Sequence, residues 1–404
     1  MGSDFRWLLT SSASGYLAHG IATTALPLLI VTMTTDPFLV ALLPVASGLP
    51  WIMFSLHVGA LVDRVDRRKV LWVADASRAV LAAALLALVV LDLVSIAALL
   101  AVAFLDGIAT VVFSAASPAV LPTLVEHDQL SRANSRLQTS NVVTGGLLGP
   151  VAGGMLYAIA ALWPFVMQAI TMTVSALCLR RLPPRPADRG EKIRTTLGTD
   201  IREGLRTVLA DRILRSLVVT TALLAASTGM LEAVLVLHVV RTLDASEGAY
   251  GLLFAVFAAG GLLGAHVTPR VQARCGSRAC LLIAATLGVA SLAIIAIGSS
   301  VYLAGVGMAA LGIGSMIYNV SAVTARQERT PRDLLGRVSS VSNLAGTGTL
   351  PLAALAAGAI ASATDTASTL VVAAVLCGGG LLWLVIDMGP IEEARDPAPP
   401  RPDH

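Results

Sequence analysis

Charge is scarce in this chain. Asp, Glu, Lys and Arg together make 13% of its 404 residues, where soluble domains carry about 25%. So few charges cannot clothe a water-soluble surface, which excludes an ordinary globular domain. Aromatic residues are also few, at 4%, so a ligand site walled mainly by rings is excluded. The four cysteines, Cys178, Cys275, Cys280 and Cys377, stand at no ligand or redox spacing. Neither a disulfide framework nor a metal site is expected from them. A Walker-type glycine–lysine loop is missing from every polar segment, which excludes an ATP-driven pump. The chain reads as a non-enzyme that needs no cofactor and binds no nucleic acid.

What it has instead is apolar length. Hydrophobic residues make 56% of the sequence and the mean hydropathy is +0.80. About 20 consecutive apolar residues cross the hydrocarbon layer as a helix. Runs of that kind begin at Trp7 and recur as far as Asp387, so a removable leader does not explain them and Met1 is expected to stay. The breaks predict spans near 7–32, 37–58, 70–91, 94–114, 138–158 and 162–180. A second set falls near 215–238, 248–268, 279–298, 301–323, 341–362 and 368–387. The expected fold class is an all-α membrane protein of 12 transmembrane helices.

The one long polar stretch starts at Leu182-Pro183-Pro184-Arg185-Pro186, which cannot be helical, and ends in an amphipathic segment, Ile201 to Leu209. It divides the chain into an N-terminal six-helix bundle (1–182), a cytoplasmic linker with a surface helix (183–212) and a C-terminal six-helix bundle (213–387). The proline-rich end, 388–404, is expected to be a disordered cytoplasmic tail. With Arg78 set inside the membrane, the spans leave only Arg241 of the 28 Lys and Arg residues outside. By the positive-inside rule both termini are cytoplasmic. Gly59-Ala60-Leu61-Val62 at the end of span 2 recurs as Gly264-Ala265-His266-Val267 at the end of span 8, 205 residues on. Matched rank and membrane side make this a sign of two parallel repeats around a central path.

The strongest local signal is Gly59-Ala60-Leu61-Val62-Asp63-Arg64-Val65-Asp66-Arg67-Arg68-Lys69. Glycine lets a neighbouring backbone approach, and the acid and bases after it can latch one repeat to the other. A basic turn that merely obeys topology is the plainer reading. Here the chain resembles the major facilitator superfamily, whose loop between helices 2 and 3 runs G-x-x-x-D-R-x-x-R-R/K. Gly59, Asp63, Arg64, Arg67 and Arg68 match it. The resemblance implies two six-helix bundles around a central cavity, and a gating latch in which Asp63 meets the start of helix 11, the arginines pair with nearby acids, and Arg337 lies close by.

Span 5 carries Gly145-Gly146-Leu147-Leu148-Gly149-Pro150-Val151-Ala152-Gly153-Gly154. Glycines four apart share one face and admit backbone-to-backbone packing. The stretch also looks like the superfamily's antiporter motif, G-x-x-x-G-P-x-x-G-G, at Gly145, Gly149, Pro150, Gly153 and Gly154, and that likeness implies export. Pro118, Pro122, the polar Leu130 to Ser135 segment ahead of span 5, and Gly336-Arg337-Val338 ahead of span 11 are similar to the branch of macrolide effluxers and siderophore exporters.

Ionisable residues inside a membrane are costly and need a reason. Asp106 stands about twelve residues into span 4, roughly 18 Å along it, and Glu232 is deep in span 7. A carboxyl facing the central path can exchange a proton as the cavity alternates its opening, and a static hydrogen bond to another helix is the plainer role. His19 joins them as a proton-coupling candidate. Asp75 and Arg78, three apart on span 3, share a face and are expected to form a structural ion pair. Many drug/proton antiporters carry an arginine followed by glycine in helix 4, whereas this helix reads Phe104-Leu105-Asp106-Gly107. That departure moves any coupling onto the carboxylates.

The resemblance and the acids together imply a secondary exporter of hydrophobic or amphipathic small molecules, drug, macrolide or siderophore-like, working by proton antiport in the bacterial inner membrane. It would act as a monomer on a small amphipathic substrate in the lipid bilayer, with the proton gradient as its energy source. Cavity candidates are Tyr16, Asp106, Met230, Glu232, Met316, Tyr318 and Asn319. Uniport or uptake of a metabolite, transport of a lipid-like substrate, and a non-transporting relative remain open at this stage.

Overall fold

The computed structural model describes residues 2–62, 65–182, 197–331 and 334–387. Within them the chain runs through α1 (Ser3–Met33), α2 (Pro37–Val62), α3 (Arg67–Val90), α4 (Ile96–Leu124), α5 (Leu130–Ile159) and α6 (Leu162–Arg180). After a short helix, α7 (Leu197–Ala210), come α8 (Arg212–Thr242), α9 (Glu247–Ile297), α10 (Val301–Arg329), α11 (Leu335–Ala363) and α12 (Thr366–Asp387). Among the described residues, eleven helices, all but α7, are long and apolar enough to cross a membrane. The expected disordered tail and the proline-rich start of the linker lie outside the described residues.

Side-chain caps close several helix starts that short turns would leave with unpaired amides. Ser95 accepts from the Ala98 amide at 3.2 Å, and Asp211 from the amides of Ile213 and Leu214 at 2.8 and 2.9 Å. Two boundaries move from their expected places. Helix α4 continues to Leu124, so Pro118 and Pro122 lie in its last turns. Helix α5 begins at Leu130, and the polar Leu130 to Ser135 segment forms its first turns instead of preceding it. Hydropathy marks where a helix leaves the apolar layer, whereas hydrogen bonding carries the helix on beyond that point.

Helix α9 is 51 residues long, about 76 Å at 1.5 Å per residue, against a hydrocarbon layer of about 30 Å. It is broken at Gly276, whose φ of 77° lies in the region that favours glycine. The packing on α10 shows that the chain reverses there. Before the break, Gly260 meets Ala309 and Gly264 meets Ile313, so the two helices run in the same direction. After it, Ala284 meets Gly314 and Ser291 meets Gly307, so they run oppositely.

Helix α5 is itself irregular. A π-helical stretch, Asn141–Leu148, leads into Gly149 and Pro150. Proline supplies no amide and its ring crowds the carbonyl four residues earlier, so a widened turn ahead of it relieves the clash. The glycines after the bulge then lie directly on neighbouring backbones.

Candidate functional site

The two halves of the chain meet tightly at one face, which we term distal. A methyl group on Gly154 of α5 would sit 2.9 Å from the Cα of Gly251 in α9, while within the first half one on Gly149 would sit 2.7 Å from the Cα of Gly20 in α1. Helices α2 and α11 close the same face. Gly48 lies against Pro351, and Gly358 against Ala41 and Phe38. The Phe38 amide donates to Ser362 Oγ at 3.1 Å, and Ser362 Oγ donates to Asp36 Oδ1 at 3.0 Å. Arg241 reaches the Val31 carbonyl at 3.5 Å. Among the described residues this face holds no acid–base pair.

Next to the closure lies a cavity of about 390 Å³, within the range of small-molecule sites. Gly48 and Leu350, at the edge of the closure, are among its walls. Asp106 from α4 and Glu232 from α8 both line it, as does His19 from α1. Gln168, Trp51, Tyr250 and Phe254 complete a partly polar wall that sequence reasoning did not single out. Their polar or aromatic side chains in otherwise aliphatic helices were the only signal available.

The two cavity carboxylates have different surroundings. Arg78 Nε donates to Asp106 Oδ1 at 3.0 Å, while Arg78 Nη1 lies 3.7 Å from Asp75 Oδ1. The expected Asp75–Arg78 pair is therefore one side of a triad, with its shorter contact to α4. Spacing along a helix finds partners on that helix only, and Asp106 approaches from another. Asp75 is fully buried, and Ser175 of α6 donates to it. Ser175 Oγ also lies 2.8 Å from Ser11 Oγ of α1. The triad thus ties four helices of the first half together. Glu232 has no hydrogen bond or ion pair among the described residues.

Other expected cavity residues fall elsewhere. Met230 is buried in the apolar core, Tyr16 packs against Gly145, and Met316 packs against Gly264; none is a wall of the cavity. Tyr318 and Asn319 line a second cavity inside the C-terminal half. Helical rotation explains these corrections, because a helix that is apolar all round does not reveal which side faces the path.

The latch lies only partly within the described residues. Asp63 and Arg64 are outside them, and Gly59 is near the end of α2. Arg68 donates to the carbonyls of Leu179 and Arg180, at the end of α6, and pairs with no acid among the described residues. The Arg68 amide donates to Asp66, which caps α3 at 3.0 Å. Arg67 opens α3. Arg337 sits in the first turn of α11 instead of preceding it, and pairs with Glu203 of α7 at 2.5 Å. The residues of the α5 motif divide their contacts: Gly145, Gly149 and Gly153 face α1, Gly154 faces α9, and Pro150 meets both Gly20 of α1 and Gly251 of α9.

Residues 2–402 match the family model described as transmembrane secretion effector. The chain belongs to this family. It is a transporter of the major facilitator superfamily, a multi-pass protein of the bacterial inner membrane that moves small molecules across the bilayer. As a transmembrane secretion effector it is not an enzyme and needs no cofactor. It is 28% identical to the enterobactin exporter EntS of Citrobacter koseri, over 99% of this chain and 95% of that protein. EntS of Shigella boydii is 27% identical over 83% of this chain and 80% of its own length. Solved structures show the same fold. A nucleoside transporter NupG mutant matches with a TM-score of 0.78 at 12% identity, covering 95% of this chain and 99% of that one. A bacterial homologue of the iron transporter ferroportin matches with a TM-score of 0.75 at 17% identity, covering 95% and 100%.

Proposed function

We propose that the chain exports hydrophobic or amphipathic small molecules in exchange for protons, by alternating access between two six-helix bundles. The observation that carries this reading is that one carboxylate from each half, Asp106 and Glu232, lines the same cavity. A group that accepts no hydrogen bond among the described residues, as Glu232 does not, is free to gain and lose a proton when water or cargo replaces its neighbours. The reversal at Gly276 supports reading α9 as two spans, twelve in all, with both described ends of the chain on one side. The excess of Lys and Arg assigns that side to the cytoplasm and the distal face to the outside. The cavity is then closed outward by the glycine contacts, and the latch from Gly59 to Arg68 works at the opposite mouth. Export is supported by the glycine–proline face of α5 and by the relatives named as exporters.

Proteoliposomes holding the purified chain test the proposal with tetraphenylphosphonium, a lipophilic cation. An imposed pH gradient should drive the probe uphill in the export direction. Glu232→Gln should abolish accumulation while still letting the probe equilibrate. Accumulation that survives in this variant removes Glu232 from coupling, and uphill movement in the opposite direction overturns export.

A further inference from the structure

The C-terminal half holds a second cavity of about 380 Å³, which shares only Thr347 and Leu350 with the central one. Its charge is opposite. No Asp or Glu lines it, and its single charged wall residue is Arg326, half-buried near the end of α10. The Arg326 guanidinium makes no hydrogen bond or ion pair among the described residues, although it carries five donors. Asn319 and Asn343 line the same chamber, and their amides are likewise unbonded among the described residues. The phenol of Tyr318 is already committed, 2.9 Å from Thr221 Oγ1 and 3.0 Å from the Leu217 carbonyl. A chamber with a free cation and free amide donors, and no acid to neutralise them, is built for an anion.

We propose that this chamber binds the anionic group of an amphipathic cargo, a carboxylate or phenolate held by Arg326 with Asn319 and Asn343 beside it. Cargo that reaches both cavities through the wall at Thr347 and Leu350 would then offer an acid to one and its apolar or basic part to the other. This rests on the reading that the chain carries amphipathic small molecules. Charge-assisted bonds to a guanidinium exceed those to neutral donors in strength, and a planar carboxylate can take two of them. A neutral amide of the same shape gains much less.

The test measures binding of radiolabelled 2-naphthoate to the full chain in phosphatidylcholine nanodiscs, with 2-naphthamide as its neutral counterpart. Naphthoate should bind saturably and about tenfold or more tighter than naphthamide. Arg326→Gln should lose about tenfold or more of the naphthoate affinity, and Arg326→Lys should recover part of it. Equal affinity for the two probes on the unaltered chain overturns the proposal without any variant. So does naphthoate binding that is unchanged in a monodisperse Arg326→Gln protein. Phosphatidylglycerol added to the nanodisc should not compete, and competition would assign the chamber to a lipid headgroup and overturn its role in cargo binding. Tetraphenylphosphonium binding to the unaltered chain reports the acidic cavity separately. Its persistence without naphthoate binding sinks the anion chamber alone, and its loss sinks the broader reading.

Discussion

Asp106 and Glu232 face one cavity from opposite halves of the chain, yet they are held in different ways. Asp106 is bonded to Arg78, Asp75 backs Arg78 from behind, and Ser175 ties Asp75 to α1 and α6. Glu232 stands with no such support. Two acids at one site are therefore held differently: the first belongs to a framework that fixes four helices, and the second has the freedom that the proposed proton exchange requires. A buried charge network is weak evidence of net stability, but breaking it from one side is expensive.

The sharpest way to break the comparison is Arg78→Leu, which leaves Asp75 and Asp106 without their cation. It should cost about 3–5 kcal/mol, read as the unfolding of the detergent-solubilised protein. Asp75→Leu added to Arg78→Leu should restore part of the stability, because it removes one of the uncompensated carboxylates. Ser175→Ala comes next. It removes one donor from Asp75 and should cost about 1–3 kcal/mol in the same measurement. The smallest effect belongs to Glu232→Gln, at about 0.5 kcal/mol or less, since no protein bond is broken. A destabilisation as large as that of Ser175→Ala would mean that Glu232 is structural too, and the contrast between the halves would disappear.

Much of the fold was legible in the sequence because membrane spanning demands long apolar runs. The break in α9 was visible as a basic turn, although Gly276 as its pivot was not, since an isolated glycine does not announce a positive φ. The site was legible in part. Asp106, Glu232 and His19 were detectable because polar groups in an apolar helix stand out. Tyr16, Met230 and Met316 were misplaced because apolar neighbours on every side conceal the helix's rotation. The bond from Arg78 to Asp106 also escaped, and with it the source of a cation for α4. The arginine missing from that helix is supplied across the interface by α3.

The distal closure has one more consequence. It is made of glycines packed closely on neighbouring backbone and on the Pro351 and Ala41 side chains, and of a few neutral or singly charged hydrogen bonds, with no acid–base pair among the described residues. Ion pairs exposed to solvent, such as Arg337–Glu203 and Arg212–Asp387, weaken as ions accumulate around them, with a screening length of about 8 Å at physiological salt. Contact between backbones has no such dependence. In the proposed orientation, with the distal face toward the medium, the carrier would keep the same resting balance in dilute and in briny surroundings. Osmotic history would then reach it only through the face that the cell itself controls.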